Sequence, residues 1–210
     1  MAVGSERLLS ACGLDSLDAV FRWNQGERLD KPGLERWRQR WRIALGMEAF
    51  PTEVFYLKRF LNPPLARQFG RWVHGDWRLS TAGVEWRNAR DLAAAGIPAA
   101  EVVSFGQEMV GPWERRSFVM LRAVGGMSLE KWVPANLSSV SGDIDRQRRR
   151  ERIDRLARFV AAFHRAGFVH RDLYLSHVFL EPQVGKAGGP PCEGYRLIDL
   201  QRVFRPKWRL

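Results

Sequence analysis

The chain has 210 residues, long enough for a real core, and with 45% apolar and 27% charged residues it is not a disordered polymer. Its 34 basic against 23 acidic residues leave a net charge of +11, which favours polyanionic partners such as nucleic acid, an anionic membrane surface or a phosphorylated substrate. No stretch approaches the ~18 uninterrupted apolar residues of a spanning helix, so any membrane contact is expected to be peripheral. The first 60 residues read as β-rich. After "AVFRW" comes "NQGERLDKPG", which has turn composition, and then "RWRQRWRI", where Trp37, Gln39, Trp41 and Ile43 alternate with Arg36, Arg38, Arg40 and Arg42. Period two is the pattern of a half-buried strand. "VFYLKRF" reads as the next strand, with Lys58 near its end.

Residues 81 to 96, "TAGVEWRNARDLAAAG", predict a helix with Thr81 as candidate cap and a stop at Gly96 before Ile97-Pro98. "RSFVMLRAV" predicts a strand, "SLEKWV" a short helix and "NLSSVSGD" a polar link. From Asp145 the pattern is helical, with Ile153, Leu156, Val160 and Phe163 as one apolar stripe ended by Gly167. Then follow "FVHRDLYLSHVFL", a Gly/Pro-rich loop "GKAGGPPCEG" and the strand "YRLIDL". This order predicts an α+β, two-lobed layout divided at the Gly125-Gly126 link. Residues 1–124 would form a β-rich first lobe with one main helix, and 125–210 a mostly helical second lobe. Cys12 and Cys192 match no metal spacing and the start of the chain carries no secretory pattern, so reduced thiols in a cytosolic protein are expected.

Four chemical elements fall in one order: a strand lysine, a helix glutamate, His-Arg-Asp after a long helix, and an aspartate closing a later strand. Phosphoryl transfer needs positive charge on nucleotide phosphates, metal held by carboxylate, and a base near the attacking hydroxyl. Lys58 would supply the first and Glu85 would fix its ammonium. Asp172, beside His170 and Arg171, would accept the hydroxyl proton, and Asp199 would hold Mg²⁺, which suits carboxylates, phosphate oxygens and water. Taken singly, each has an ordinary explanation. Lys58 reads as a solvated charge, Glu85 as a helix-dipole partner, Asp199 as a turn cap and His170 as a hydrogen-bonded core histidine. The ordered set is what argues for chemistry.

"HRDLYLSHVFL" followed by "LIDLQRV" resembles the lipopolysaccharide kinase family, bacterial enzymes of protein-kinase-like fold that phosphorylate heptose or 3-deoxy-manno-octulosonic acid in the lipopolysaccharide inner core. "FYLKRF", "VEWRNARDLAAAGIP" and the arginine-rich strand are similar to that family's first lobe, and the resemblance runs from about residue 20 to the end. It implies an ATP-dependent, Mg²⁺-using enzyme in which Lys58 meets ATP phosphates, Glu85 pairs with it, Asp172 is the catalytic base and Asp199 binds metal. His177 stands where protein kinases carry a second metal-binding Asn, and a His there is familiar in this family. Asp199-Leu200-Gln201 lacks the glycine that lets this segment flip in regulated kinases.

There is no G-x-G-x-x-G; Gly26 and Gly33 are the candidate phosphate-covering glycines, and "VMLRAVGG", with Leu121 and Arg122, is the expected adenine-side segment. The chain stops at Leu210, soon after Asp199, where the family continues into further helices, so a truncated second lobe is expected. The resemblance implies a core sugar as acceptor at the cytoplasmic face of the inner membrane, with peripheral contact to its anionic surface. The competing readings are a catalytically inactive binding module, a kinase for a protein or another small hydroxyl compound, and, last, a nucleic-acid binder using alternating Arg and Trp.

Overall fold

Two helices come first, where the sequence predicts β-structure. In the computed structural model, which describes residues 3–29, 35–47, 50–73, 75–137, 143–181 and 194–206, α1 (Val3–Ala11) and α2 (Leu17–Arg22) precede every strand. Ser16 caps α2 by accepting from the Ala19 backbone N–H at 3.1 Å, and Asp18 sits in the first turn. Leu17, Val20 and Phe21 recur at helical spacing. In so short a segment the cap and this period outweigh the strand preference of Val and Phe.

β1 (Glu27–Arg28), β2 (Arg38–Met47) and β3 (Phe50–Leu61) follow, then α3 (Leu65–Val73), α4 (Thr81–Ala94), β4 (Val102–Val110) and β5 (Trp113–Arg122). The strands form one antiparallel sheet in the order β1-β2-β3-β5-β4. In burial the alternation read from the arginine segment appears at its end, where Arg42 is exposed and Ile43 buried, and continues through Ala44 and Leu45, while residues 37–41 are all half-buried. On that buried face Ile43, Leu45, Phe55, Leu57, Phe118 and Met120 pack with Leu8, Leu9, Leu14 and Val20 from α1, α2 and the turn between them. The opposite face carries Arg40, Lys58 and Val119, directly across from one another on β2, β3 and β5. The predicted helix of residues 81–96 forms as α4, but its cap is Ser80 rather than Thr81. Ser80 Oγ accepts from the Gly83 N–H at 2.9 Å. The backbone N–H and hydroxyl of Thr81 donate instead to the buried Glu114 carboxylate at 2.8 and 2.7 Å.

Contacts divide the chain into two compact units, residues 1–87 with 101–123, and residues 88–100 with 124–210; α4 crosses the division between Arg87 and Asn88. The second unit contains β6 (Met127–Ser128), α5 (Leu129–Leu137), α6 (Asp143–Arg165), β7 (Val169–His170), β8 (Val178–Leu180), β9 (Tyr195–Leu197) and β10 (Val203–Phe204). Strands β6, β8 and β9 form one small sheet, and β7 pairs with β10. Gly126, at φ +78, precedes β6 with so little room that a Cβ there would come within 2.0 Å of the Leu180 carbonyl oxygen, which requires glycine.

The core of the second unit is aromatic. Phe163 stacks on Phe168 with centroids 5.9 Å apart, and Phe159 meets Tyr195 at 5.7 Å. Of the stripe read on α6 only Phe163 is buried; Leu156 and Val160 are half-buried and Ile153 is 57% exposed, and Phe159, one position off the stripe, is buried beside Phe163 instead. The helix stops at Gly167, φ +82, as predicted. The link 138–142, Gly33, Cys192 and most of the Gly/Pro-rich loop lie outside the described residues.

Candidate functional site

In the first unit the structure brings Lys58 and Glu85 together. β3 fixes Lys58 between the buried Leu57 and Arg59, and Glu85 is the fifth residue of α4. Lys58 Nζ donates to Glu85 Oε1 at 2.7 Å, with the lysine side chain 12% exposed and the glutamate not exposed at all. Glu85 Oε2 is buried without a hydrogen-bond partner among the described residues. An ion pair this dry holds its ammonium on a short tether. Arg40, one strand away on the same face, was not singled out from sequence. The signal for it was its place on the arginine side of the alternation, which the register puts opposite Lys58.

The other sequence-predicted residues of this unit have structural partners of their own. Gly26 stands at φ +111, and a Cβ on it would lie 2.6 Å from the Arg42 carbonyl oxygen, so the approach to β1 alone demands glycine. Leu121 is buried in β5 across from Tyr56. Arg122 pairs with Glu101 at 3.0 Å and with Glu53.

In the second unit, pairing of β7 with β10 sets His170 opposite Val203 and brings the His-Arg-Asp loop beside the segment that follows Asp199. Asp172 donates its backbone N–H to His170 Nδ1 at 3.1 Å, so that nitrogen carries no proton. His170 Nε2 is buried and lacks a hydrogen bond of full geometry, although the nearby Ile198 backbone favours the charged ring. Burial pushes the His170 imidazole below the usual histidine range, helped by neighbouring His177 and opposed by Ile198, Asp199 and Asp172. The Arg171 guanidinium lies over the Phe204 ring at 5.1 Å.

His177 closes a 3-10 turn (Leu175–His177), and its Nδ1 lies 2.6 Å from the Asp172 carbonyl oxygen. A carbonyl only accepts, so Nδ1 carries the proton and the lone pair of neutral His177 is on Nε2. That Nε2 faces Asp199 Oδ2 at 4.0 Å. Asp199 holds a left-handed backbone, φ 57 and ψ 51, a region that Asp tolerates better than bulkier residues. Two acceptors turned toward each other suit a cation between them. Among the described residues no cluster of three or more His, Cys, Asp or Glu could hold a metal by itself. Mg²⁺ does not need one, since it takes much of its shell from phosphate and water; Asp199 fits as its principal protein ligand and the imidazole as a lesser one.

Two further residues here escaped the sequence reading. Arg202 Nε donates to Asp172 Oδ2 at 2.6 Å, which leaves Oδ1 as the other acceptor of that carboxylate. Its signal was an arginine three residues beyond Asp199. Asn88 Nδ2, buried, donates to the Leu200 and Val203 carbonyls at 2.8 and 2.7 Å and so fixes the backbone that carries Arg202. A polar residue three positions after Glu85 on α4 was the available clue. Tyr174, two residues past Asp172, is exposed, and its backbone N–H donates to the Asp172 carbonyl at 2.8 Å.

Comparison with known proteins finds that the model of the lipopolysaccharide kinase (Kdo/WaaP) family matches residues 64–209. The lipopolysaccharide core heptose(I) kinase WaaP of Pseudomonas aeruginosa is 29% identical over 127 residues, covering 57% of this chain and 43% of that protein. Among solved structures, WaaP in complex with acyl carrier protein aligns at TM-score 0.61 with 21% identity, covering 87% of this chain and 63% of that one, a likeness of fold. The bifunctional kinase-methyltransferase WbdD aligns at TM-score 0.47 with 19% identity, over 89% of this chain and 36% of that one, too loosely to bear on the fold. The chain thus spans less than half the length of the curated relative and under two thirds of the solved WaaP chain.

Proposed function

The chain belongs to the lipopolysaccharide kinase (Kdo/WaaP) family, and from that membership we propose that it transfers the γ-phosphoryl group of ATP to a sugar hydroxyl of the lipopolysaccharide inner core, heptose or 3-deoxy-manno-octulosonic acid. The observation that carries this reading is the buried Lys58–Glu85 pair. A buried ion pair is a poor source of stability, because apolar residues of the same volume would serve as well or better. Its retention fits a lysine that must be aimed at phosphate oxygens.

In this reading Lys58 neutralises nucleotide phosphates and Glu85 holds its ammonium in place. Arg202 orients the Asp172 carboxylate by occupying Oδ2, and Oδ1 takes the proton of the acceptor hydroxyl. That hydroxyl oxygen bonds to the γ-phosphorus as the bond to the β-phosphate oxygen breaks, giving a phosphorylated sugar and ADP. Asp199 and His177 would hold Mg²⁺, which when bound neutralises charge on the phosphates. His170 and Arg171 act through the loop, the first by accepting the Asp172 N–H and the second by packing on Phe204. An acceptor anchored in a bilayer brings the protein to the cytoplasmic face of the inner membrane, where its positive charge is attracted by about 1 kcal/mol per well-placed Lys or Arg.

The test is transfer of label from Mg²⁺-ATP to deacylated inner-core lipopolysaccharide. Asp172→Asn is expected to lower the rate by roughly 10² to 10⁴ while ATP binding is kept. Wild type and variant equally inert, with ATP still bound, would replace the kinase by a nucleotide-binding module.

A further inference from the structure

Helix α3 is amphipathic with its faces reversed. Its polar side is inward: Gln68 is buried, donating from Nε2 to the Pro63 carbonyl at 2.8 Å and accepting from the Glu114 backbone N–H at 2.8 Å. Arg71, one turn on, donates to the Leu79 carbonyl and pairs with the buried Glu114 carboxylate at 3.2 Å. Its apolar side is outward: Leu65, Phe69 and Val73, spaced by one turn each, are 67%, 62% and 62% exposed. The polar network fixes this orientation, so rolling the helix to hide the stripe would strip Gln68 of its partners and pull Arg71 from the buried Glu114 carboxylate.

The exposed stripe does not stand alone. Phe69 touches Trp72 at 6.1 Å between centroids, Trp72 meets the exposed Trp113 at 4.5 Å, and Trp113 lies across from the exposed Val110. An apolar surface of this extent with aromatic side chains marks an interaction site. Its charge selects the partner. The acidic residues nearby are already matched, Glu35 with Arg67, Asp76 with Arg87 and Glu114 with Arg71. Arg78, stacked on the exposed Trp77 at 4.5 Å, and the exposed Arg115 have no carboxylate partner among the described residues. Apolar and Trp side chains with an uncompensated basic rim, on a chain of net charge +11, match the acyl boundary and the anionic headgroups of a bilayer.

We propose that the outward face of α3, with Trp113 and Trp77 at its rim, is the surface by which this protein docks on an anionic membrane. The proposal rests only on the membrane-contact part of the reading above, and its test uses neither nucleotide nor acceptor. Purified protein is sedimented with vesicles of phosphatidylethanolamine and phosphatidylglycerol, and separately with phosphatidylcholine alone. The wild type is expected to bind the first and leave the second, and added salt should weaken binding. The triple change Leu65→Ser, Phe69→Ser, Val73→Ser should weaken binding about tenfold or more while the variant still unfolds in one cooperative transition, since most of each side chain faces solvent. Wild-type protein that ignores anionic vesicles, equal binding to both lipids, or a triple variant that binds as well as wild type overturns the proposal. So does wild-type protein that forms dimers which the triple variant loses, because the occupant would then be a second copy. In each of these cases phosphotransfer in solution still stands or falls by Asp172.

Discussion

Replacing Lys58 by methionine should destabilise the protein far more than removing a surface lysine does. The change leaves the Glu85 carboxylate with no exposure and without the ammonium that Oε1 accepts from, while Oε2 already has no hydrogen-bond partner among the described residues. Breaking a buried pair in this way costs about 3–5 kcal/mol. For a chain of this length, at about 2–4 °C per kcal/mol, that is a fall in melting temperature of roughly 10 °C. Glu85→Leu should cost less, about 1–2 kcal/mol, because Lys58 is 12% exposed and its ammonium can turn to water. The double variant replaces the pair by two apolar side chains and should lie close to wild type, so the coupling in the cycle is the sum of the two single losses, about 4–7 kcal/mol. Differential scanning calorimetry and urea unfolding measure all four proteins. Losses that simply add, with coupling under about 0.5 kcal/mol, would refute the claim that the two charges share one buried environment. The stability-neutral double variant should nonetheless be dead in transfer from ATP, which separates the fold's need for the pair from the chemistry's.

Asn88→Asp puts a carboxylate oxygen against the Leu200 and Val203 carbonyls in place of a donor, so it should lower stability by about 2–4 kcal/mol, read by thermal unfolding; an unchanged melting point would mean those carbonyls find other donors. His170, whose usual value is 6.5, is held lower in the folded protein by burial. The unfolded chain therefore takes up its proton first on acidification, so the stability this group contributes is whole above about 6.5 and is lost as pH falls through the folded-state value. His170→Gln should flatten that part of the stability curve in urea unfolding between pH 8 and roughly 5, and an equally steep loss in the variant would assign the slope elsewhere.

Much of this protein is determined by local sequence. The period-two arginine segment fixes β2 and its buried face, the Ala-rich stretch fixes α4, and glycine at 96 and 167 ends two helices, because each rests on side-chain period and backbone preference within a few residues. The ordered set Lys58, Glu85, His-Arg-Asp and Asp199 was legible for the same reason, as residue types at characteristic places on predicted elements. What the sequence misread was local too. Of the two short helices in the segment read as β-rich, α2 carries Val20 and Phe21, which suit a strand as well, and only Ser16 and the packing of Leu17 and Val20 on the sheet decide for helix.

Tertiary structure alone decided the partnerships. Lys58 and Glu85 are 27 residues apart, and Asn88 reaches Leu200 across 112; no local pattern encodes those distances. That Arg202 reaches Asp172 follows from β7 pairing with β10, and that α3 buries its polar side follows from Glu114 on β5. A helical wheel shows that α3 has two faces. Which one meets solvent depends on a carboxylate more than 40 residues away, because a buried charge must be paired wherever the chain can bring its partner.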